Sequence, residues 1–154
     1  MLLIHHSIAA SNLALPEIVL RAERMQIAKR RWRGTAEDGT EFGFELESPL
    51  KPGETVHESL HARYVVQQEP EAVLEVALDM PPSAAAGIGW AVGNLHLELQ
   101  TEATRLRALD EPAVRQLFER LKVPFIATTA VFRPGRFVRG SQNGSHELGA
   151  SHKH

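Results

Sequence analysis

In Gly89-Trp-Ala-Val-Gly-Asn-Leu-His-Leu-Glu-Leu-Gln100, a run of small residues changes to an alternation of apolar and polar residues. The small residues begin at Ser83 and continue to Val92, and such a run predicts a helix that packs closely against its neighbours. Gly93 and Asn94 belong to the residue types that tolerate the left-handed backbone conformation found after many helices. We therefore expect the helix to end at these two residues.

The residues after this helix predict a strand, with one histidine between the two elements. Leu97 and Leu99 alternate with Glu98 and Gln100, which is the pattern of a half-buried strand. His96 lies between helix and strand, so its imidazole is expected at the surface on a rigid support. Two interpretations stay open: a histidine that interacts only with the helix dipole, or an exposed metal ligand.

The second half of the chain has the order strand, helix, strand, strand, helix, strand, which is the order of a ferredoxin-like sandwich. We expect Asp110 to cap the second helix and Pro124 to end it. The predicted strands are residues 72–78, 97–100, 104–109 and 125–132. Pro81-Pro82 opens the first helix, and the second helix carries the apolar stripe Val114, Leu117, Phe118 and Leu121.

The first half of the chain predicts a small all-β unit with hairpin turns. Asp38-Gly39 is typical of a two-residue hairpin turn. Such a turn would place Trp32 opposite Glu45 and Arg30 opposite Glu47. Cross-strand charge pairing would then account for part of a basic run in this region.

That basic run, residues 21–33, holds six basic side chains and one acidic side chain. Because Trp32 lies within it, nucleic-acid binding is one interpretation. The two-residue turn would also put Arg31 and Arg33 beside apolar side chains of the opposite strand. Either a bulge shifts the register, or these arginines extend past the apolar side chains.

The predicted fold class is α+β, a small N-terminal all-β domain followed by a ferredoxin-like βαββαβ C-terminal domain. We place the first domain at residues 1–68 and the second at residues 69–136. Residues 137–154 are polar and rich in glycine and serine, and we expect them to form a flexible tail that contains histidines.

Composition excludes several functional classes. The chain has 154 residues, 43% of them hydrophobic, a formal net charge of −2 and no cysteine, so disulfides and thiolate metal sites are excluded. We expect a cytoplasmic protein with no signal peptide and neither nucleic acid nor a membrane as partner. Because no Walker loop or nucleophile elbow is present, we expect no catalytic residues and no enzymatic activity.

The histidines carry the remaining chemistry. There are eight, and His146, His152 and His154 lie in the predicted tail. Imidazole suits nickel, zinc and copper, and one histidine per subunit at a two-fold axis supplies two ligands. His57 and His61 have a spacing that could bind zinc on a helix, but their surroundings are rich in turns.

Several segments, in order along almost the whole chain, resemble the urease accessory protein E family, the nickel metallochaperone of urease assembly. The most specific is Trp90-Ala-Val-Gly-Asn-Leu-His96, which is similar to the family's Tyr/Trp-His-Leu-Gly-Asn-Arg-His signature. The others are Asp38-Gly-Thr-Glu41, Leu50-Lys-Pro-Gly-Glu-Thr-Val56, Glu71-Ala-Val-Leu-Glu75 and Val131-Phe-Arg-Pro-Gly135.

The resemblance implies an N-terminal domain of peptide-binding type and a homodimer formed through the C-terminal domain. It implies that His96 of each subunit binds nickel at the dimer interface and that His146, His152 and His154 add ligands. The implied partners are the urease GTPase accessory protein and the urease apoenzyme complex, in urease maturation and nickel insertion.

This sequence departs from the family pattern at three places. Ala91 stands where a histidine is frequent, Leu95 stands where the signature has arginine, and Leu109-Asp-Glu-Pro112 replaces histidines that often follow the third strand of the metal domain. We therefore expect a low nickel capacity per dimer. The alternative function is a peptide- or protein-binding adaptor in urease maturation with little or no metal function.

Overall fold

The computed structural model describes residues 1–138 and 145–147 of the chain. The chain divides into two compact units, the first covering Met1–Glu69 and the second beginning at Pro70. No helix in the described ranges is long and apolar enough to cross a membrane.

The first unit consists of two three-stranded sheets and one short helix. Its sheets have the strand orders β1-β4-β3 and β2-β6-β5. In each sheet the first two strands are parallel and the last pair is antiparallel. The elements are β1 (Leu2–Ile4), β2 (Glu17–Ala22), α1 (Arg24–Ile27), β3 (Arg31–Thr35), β4 (Glu41–Glu45), β5 (Thr55–Glu58) and β6 (Arg63–Gln68).

The hairpin between β3 and β4 has a different register from the predicted one. Gly39 has a φ of 87°, and its N–H donates to the carbonyl of Ala36 while the Ala36 N–H donates to Thr40. This is a three-residue loop that ends in a left-handed glycine and adds one residue to the turn. The prediction that Trp32 faces Glu45 was therefore wrong: Trp32 pairs with Phe44, and their ring centroids lie 4.1 Å apart.

The predicted charge pairing across this hairpin was also wrong. With the shifted register, Arg31 stands opposite Glu45, and the carbonyl of Arg30 accepts a hydrogen bond from the N–H of Leu46. Within the described residues, neither arginine has a carboxylate within 4.0 Å. Of the two interpretations, the bulge is the one that holds, because the shifted register places Arg31 opposite Glu45 and Arg33 opposite Gly43 instead of beside apolar side chains.

The second unit confirms the ferredoxin-like order, because its sheet has the strand order β10-β7-β9-β8 with every neighbouring pair antiparallel. The elements are β7 (Glu71–Ala77), α2 (Pro82–Asn94), β8 (Gln100–Thr101), β9 (Arg105–Leu109), α3 (Pro112–Arg120) and β10 (Ile126–Ala130). The fold class is therefore α+β, as predicted.

Both helices contribute to one apolar cluster with the sheet. Val92 of α2 and Phe118 of α3 are fully buried together with Leu74 of β7. In the predicted stripe of α3, Val114 and Leu117 are buried as well. Leu121 is not, because it is the C-cap residue, where the backbone leaves the helix, and it stays 43% exposed.

The predicted N-cap of α3 was wrong. The N-cap residue is Glu111, and no side chain makes a capping hydrogen bond. Asp110 instead accepts two hydrogen bonds from Arg115, of 2.6 and 2.9 Å, and this hydrogen bonding lowers the pKa of its carboxyl group. A bidentate ion pair with Arg115 therefore takes the place of the expected cap.

The C-terminal segment contains two short strands where a flexible tail was predicted. These are β11 (Arg136–Val138) and β12 (Ser145–Glu147), which pair in antiparallel orientation with Phe137 opposite His146. Five of these six residues, all except Arg136, belong to the predicted tail and lie in strands. The rest of the predicted tail lies outside the described residues.

Candidate metal centre

The candidate site begins with the way in which α2 ends. The N–H of Leu97 donates to the carbonyl of Val92 over 3.2 Å, and the N–H of His96 donates to the carbonyl of Gly93 over 3.0 Å. His96 has a φ of 57°, in the left-handed region. These features define a Schellman motif in which His96 occupies the position where glycine is usual.

The helix ends at Asn94, as predicted, but the left-handed residue that follows it is His96 and is neither of the two residues that tolerate this conformation. Both belong to the helix, and neither has a positive φ. The reason is the apolar contact that accompanies a Schellman motif: Leu97 packs against the cluster that contains Val92. The backbone therefore turns at His96, three residues after Gly93, because this position brings Leu97 onto the core.

The backbone holds His96 firmly while the side chain remains exposed. Two backbone hydrogen bonds and the buried neighbour Val92 fix the helix end. An imidazole held in this way can approach a metal ion or another protein with little loss of backbone freedom. The position predicted for His96, at the end of a helix and at the surface, is the one that the structure shows.

Positive φ alone does not identify a ligand, because α3 ends in the same way. The N–H of Val123 donates to the carbonyl of Phe118 and the N–H of Lys122 donates to Glu119. Lys122 has a φ of 54° in this second Schellman motif. What distinguishes His96 is the chemistry of its side chain, since imidazole binds transition metals and a protonated amine does not.

His96 borders a shallow cleft whose other titratable lining residues are carboxylates. The cleft is lined by Leu97, Glu98, Leu109, Glu111 and Val114 in addition to His96. Leu109 and Glu111 belong to the segment in which this sequence departs from the family's histidines. The segment that departs from the family pattern therefore lies beside His96 and lines the cleft. The sequence alone did not predict that Glu98 and Glu111 would line the same cleft as His96.

A single subunit does not provide a complete metal site within the part of the chain that the structure describes. No three histidine, cysteine, aspartate or glutamate residues come close enough there to hold one ion. Of the other predicted ligands, His146 lies in β12, and His152 and His154 lie outside the described residues.

The zinc-type spacing of His57 and His61 does not form a helical site. His57 lies in β5, with its ring centroid 5.6 Å from that of Tyr64 and 6.2 Å from that of Phe42. His61 lies in the turn before β6. The two histidines therefore do not share the helix face that such a site requires.

The geometry defines a ferredoxin-like domain in which His96 is exposed at the end of a helix, and comparisons with known proteins specify its family. The sequence model of the family "UreE urease accessory protein, C-terminal domain" matches residues 71–154. Urease accessory protein UreE of Pseudomonas fluorescens is 30% identical over 153 residues, which cover 95% of this chain and 86% of that protein.

Two further relatives agree. Urease accessory protein UreE of Nitrosococcus oceani is 29% identical over 129 residues, 82% of this chain and 75% of the relative. Urease accessory protein UreE 1 of Brucella suis biovar 1 is 26% identical over 136 residues, 87% of this chain and 82% of the relative. The chain belongs to the UreE family of urease accessory proteins.

Proposed function

We propose that this protein is a nickel-binding metallochaperone that delivers nickel for assembly of the urease active site. Two facts support the proposal: the chain belongs to a family of urease accessory proteins, and its exposed His96 is held at the end of α2. The observation that carries it is the Schellman motif, which fixes an imidazole at the surface in a position usual for glycine.

The ion needs ligands from more than one subunit. In the described ranges, one chain brings no third donor to His96. A homodimer through the C-terminal domain, with His96 of both subunits at the two-fold axis, would supply two nitrogen ligands. The tail histidines His146, His152 and His154 or water would complete the coordination, and zinc or copper would bind to the same imidazoles.

Few protein ligands on an exposed surface favour transfer of the ion. Nickel bound by two imidazoles and exchangeable ligands remains accessible to an acceptor protein, which is what delivery requires. The proposed partners are the urease GTPase accessory protein and the urease apoenzyme complex, in the cytoplasm. The protein itself would perform no catalysis.

The second candidate function is a peptide- or protein-binding adaptor in urease maturation with little metal function. The observation that favours it is the composition of the cleft beside His96, where Leu109 and Glu111 stand in place of histidines. An adaptor of this kind would keep its partner binding when His96 is replaced.

Calorimetric titration of nickel into four proteins tests the proposal. These are the full chain, His96→Ala, a chain that ends at Gly140, and His61→Ala as a matched control with another exposed histidine. We expect His96→Ala to remove the tightest binding event, the shortened chain to weaken it, and His61→Ala to leave it unchanged. Tight binding that survives in His96→Ala would refute the proposed site and favour the adaptor.

A further inference from the structure

A depression lies between the first half of α2 and the end of α3. Its volume is about 440 Å³, within the range of about 300–1,000 Å³ that is typical of small-molecule sites, which often occur between packed helices. We call this depression the helix groove, and its lining includes Met80, Gly87, Ile88, Leu121, Lys122 and Val123. It shares no residue with the cleft beside His96. Gly87 lies seven residues before the end of α2 at Asn94, roughly 10 Å along the helix axis, so the groove is a separate site.

The wall of the helix groove is mostly apolar. Ile88 is buried, Met80 and Val123 are half-buried, and Leu121 is 43% exposed. Leu121 is the member of the α3 stripe that does not reach the core, because it is the residue at which the backbone leaves the helix. Leu121 lines the groove instead. The groove therefore presents apolar surface that the core of the domain does not cover.

Neither the backbone conformation nor the packing of the described residues requires glycine at position 87. Gly87 lies inside α2 and does not have a positive φ. A Cβ atom at Gly87 would meet no heavy atom within 4 Å, so no neighbouring residue excludes a side chain there. Glycine lowers helix propensity relative to alanine, and a glycine inside a helix often marks a place that another group approaches closely. The open space over Gly87 is the floor of the helix groove.

Lys122 is the one charged residue among the described residues that line the helix groove. The Schellman motif at the end of α3 fixes its backbone, with a φ of 54° and a hydrogen bond from its N–H to the carbonyl of Glu119. Its side chain is exposed, and within the described ranges no carboxylate lies within 4.0 Å of its amine. An unpaired ammonium group beside an apolar hollow complements a ligand that has one anionic group at the end of an apolar chain.

We infer that the helix groove binds a small amphiphilic carboxylate, of the class of the medium-chain fatty acids. The alkyl chain of the ligand lies over Gly87 and against Ile88 and Leu121, and its carboxylate pairs with the amine of Lys122. The burial of the alkyl chain supplies most of the affinity, and the ion pair fixes the orientation. The inference does not depend on metal binding at His96.

A helix of a partner protein fits the helix groove less well. An amphipathic helix binds through apolar side chains spread over about two turns, so it needs a long apolar strip on the surface that receives it. The residues that adjoin the groove lining along the chain are polar and exposed, namely Asp79, Ser83, Glu119 and Arg120. The apolar surface therefore ends within one hollow, which a single alkyl chain can occupy.

Isothermal titration calorimetry with decanoate, below its micelle-forming concentration and without nickel, tests the inference. The proteins are the full chain, Gly87→Leu, Lys122→Gly, and the controls Ala113→Leu and Arg120→Ala. Ala113 and Arg120 are exposed on α3 and do not line the groove, and Arg120 has no ion pair in the described residues. Gly87→Leu adds a side chain in open space and Lys122→Gly suits a positive φ, so both variants should fold, which urea denaturation checks.

We expect a single decanoate to bind to each chain. Gly87→Leu should weaken binding at least about tenfold, because its side chain fills the space of several methylene groups. Lys122→Gly should weaken binding up to about fivefold, which is the contribution of an exposed ion pair. Decanol, which has no carboxylate, should bind to the full chain more weakly than decanoate by the same factor, and this difference should vanish in Lys122→Gly. Ala113→Leu, Arg120→Ala and His96→Ala should bind decanoate as the full chain does.

Four results would overturn the inference. The first is no saturable binding of decanoate to the full chain, and the second is unaltered binding in Gly87→Leu. The third is equal weakening by Lys122→Gly and Arg120→Ala, which would indicate attraction by overall charge. The fourth is tighter binding of a labelled amphipathic helical peptide than of decanoate, abolished in Gly87→Leu, which would assign the groove to a partner helix. Nickel titration of Gly87→Leu should match that of the full chain, so failure at the groove would leave the proposed function intact.

Discussion

Replacing His96 with glycine separates the structural role of this position from its proposed role as a ligand. His96 has a φ of 57°, and the two hydrogen bonds of the Schellman motif at this position join backbone atoms only. Glycine can make the same hydrogen bonds without the steric cost of a Cβ atom in the left-handed region. His96→Gly should therefore stabilise the fold and at the same time abolish nickel binding.

The size of the stabilisation follows from two opposing terms. A left-handed conformation costs an L-residue about 1–2 kcal/mol, and this cost disappears with glycine. Glycine loses more conformational freedom on folding, which offsets about 0.5–1 kcal/mol of the gain. The net increase in the free energy of unfolding should be roughly 0.5–1 kcal/mol.

The chain offers a matched control at the end of α3. Lys122 has a φ of 54° in the same kind of motif, so Lys122→Gly should raise the free energy of unfolding by a similar amount. It should leave nickel binding unchanged. Urea denaturation measures both stabilities, and a gain of this size shifts the midpoint by about 0.5 M.

Either of two results would refute this reasoning. If His96→Gly lowered the free energy of unfolding while Lys122→Gly raised it, the His96 side chain would contribute a stabilising contact that the backbone motif does not include. If His96→Gly bound nickel as tightly as the full chain does, the histidine would be a structural residue alone.

Three further predictions concern the fold. Gly39→Ala should lower the free energy of unfolding by roughly 0.5–1 kcal/mol, by the same two opposing terms, because Gly39 has a φ of 87°; an unchanged urea midpoint would argue against the bulged hairpin. Asp110 has a lowered pKa because of its hydrogen bonds with Arg115, so the pair stabilises the fold above about pH 4 and stops doing so as the pH falls through the native pKa. Arg115→Gln should therefore reduce the loss of stability on acidification below about pH 4, as measured by urea denaturation at several pH values; an unaltered pH dependence would show that the pair contributes nothing. Phe118→Ala should cost about 3–5 kcal/mol because Phe118 is fully buried between helix and sheet, and a loss below about 1 kcal/mol would contradict that packing.

The architecture of the second unit could be predicted because its elements have strong periodic patterns. The spacing of Val114, Leu117 and Phe118 identifies the buried side of α3, and all three are buried. The alternation predicted at residues 97–100 holds only in part: Leu97 and Leu99 pack against the core and Glu98 is exposed, but Gln100 is buried and the strand begins only at Gln100. The βαββαβ order follows from such patterns and was correct.

Features that depend on the backbone conformation of one residue, such as a strand register or a left-handed turn after a helix, could not be predicted from periodic patterns. The register of the β3–β4 hairpin depends on whether its loop has two or three residues, and Asp38-Gly39 is compatible with both. The position of the left-handed residue after α2 depends on where Leu97 reaches the core, which the tolerance of Gly93 and Asn94 for this conformation does not reveal. In both cases tertiary packing selects one of several local conformations.

For the candidate site, the sequence predicted the position of His96 but not its surroundings. The location of His96 follows from the helix before it and the strand after it. Glu111, at the start of α3, lines the same cleft because α3 packs beside the end of α2. No spacing along the chain contains this information, because the two residues belong to different elements.

The most direct test of the proposed function is the number of nickel ions bound per chain, measured by equilibrium dialysis together with the molecular mass of the nickel-bound protein from sedimentation. If His96 of two subunits shares one ion, the measurement should give about one tightly bound ion for each dimer. One tightly bound ion on a monomer would contradict the shared site at His96, as would a nickel-bound dimer that keeps its full nickel content in His96→Gly.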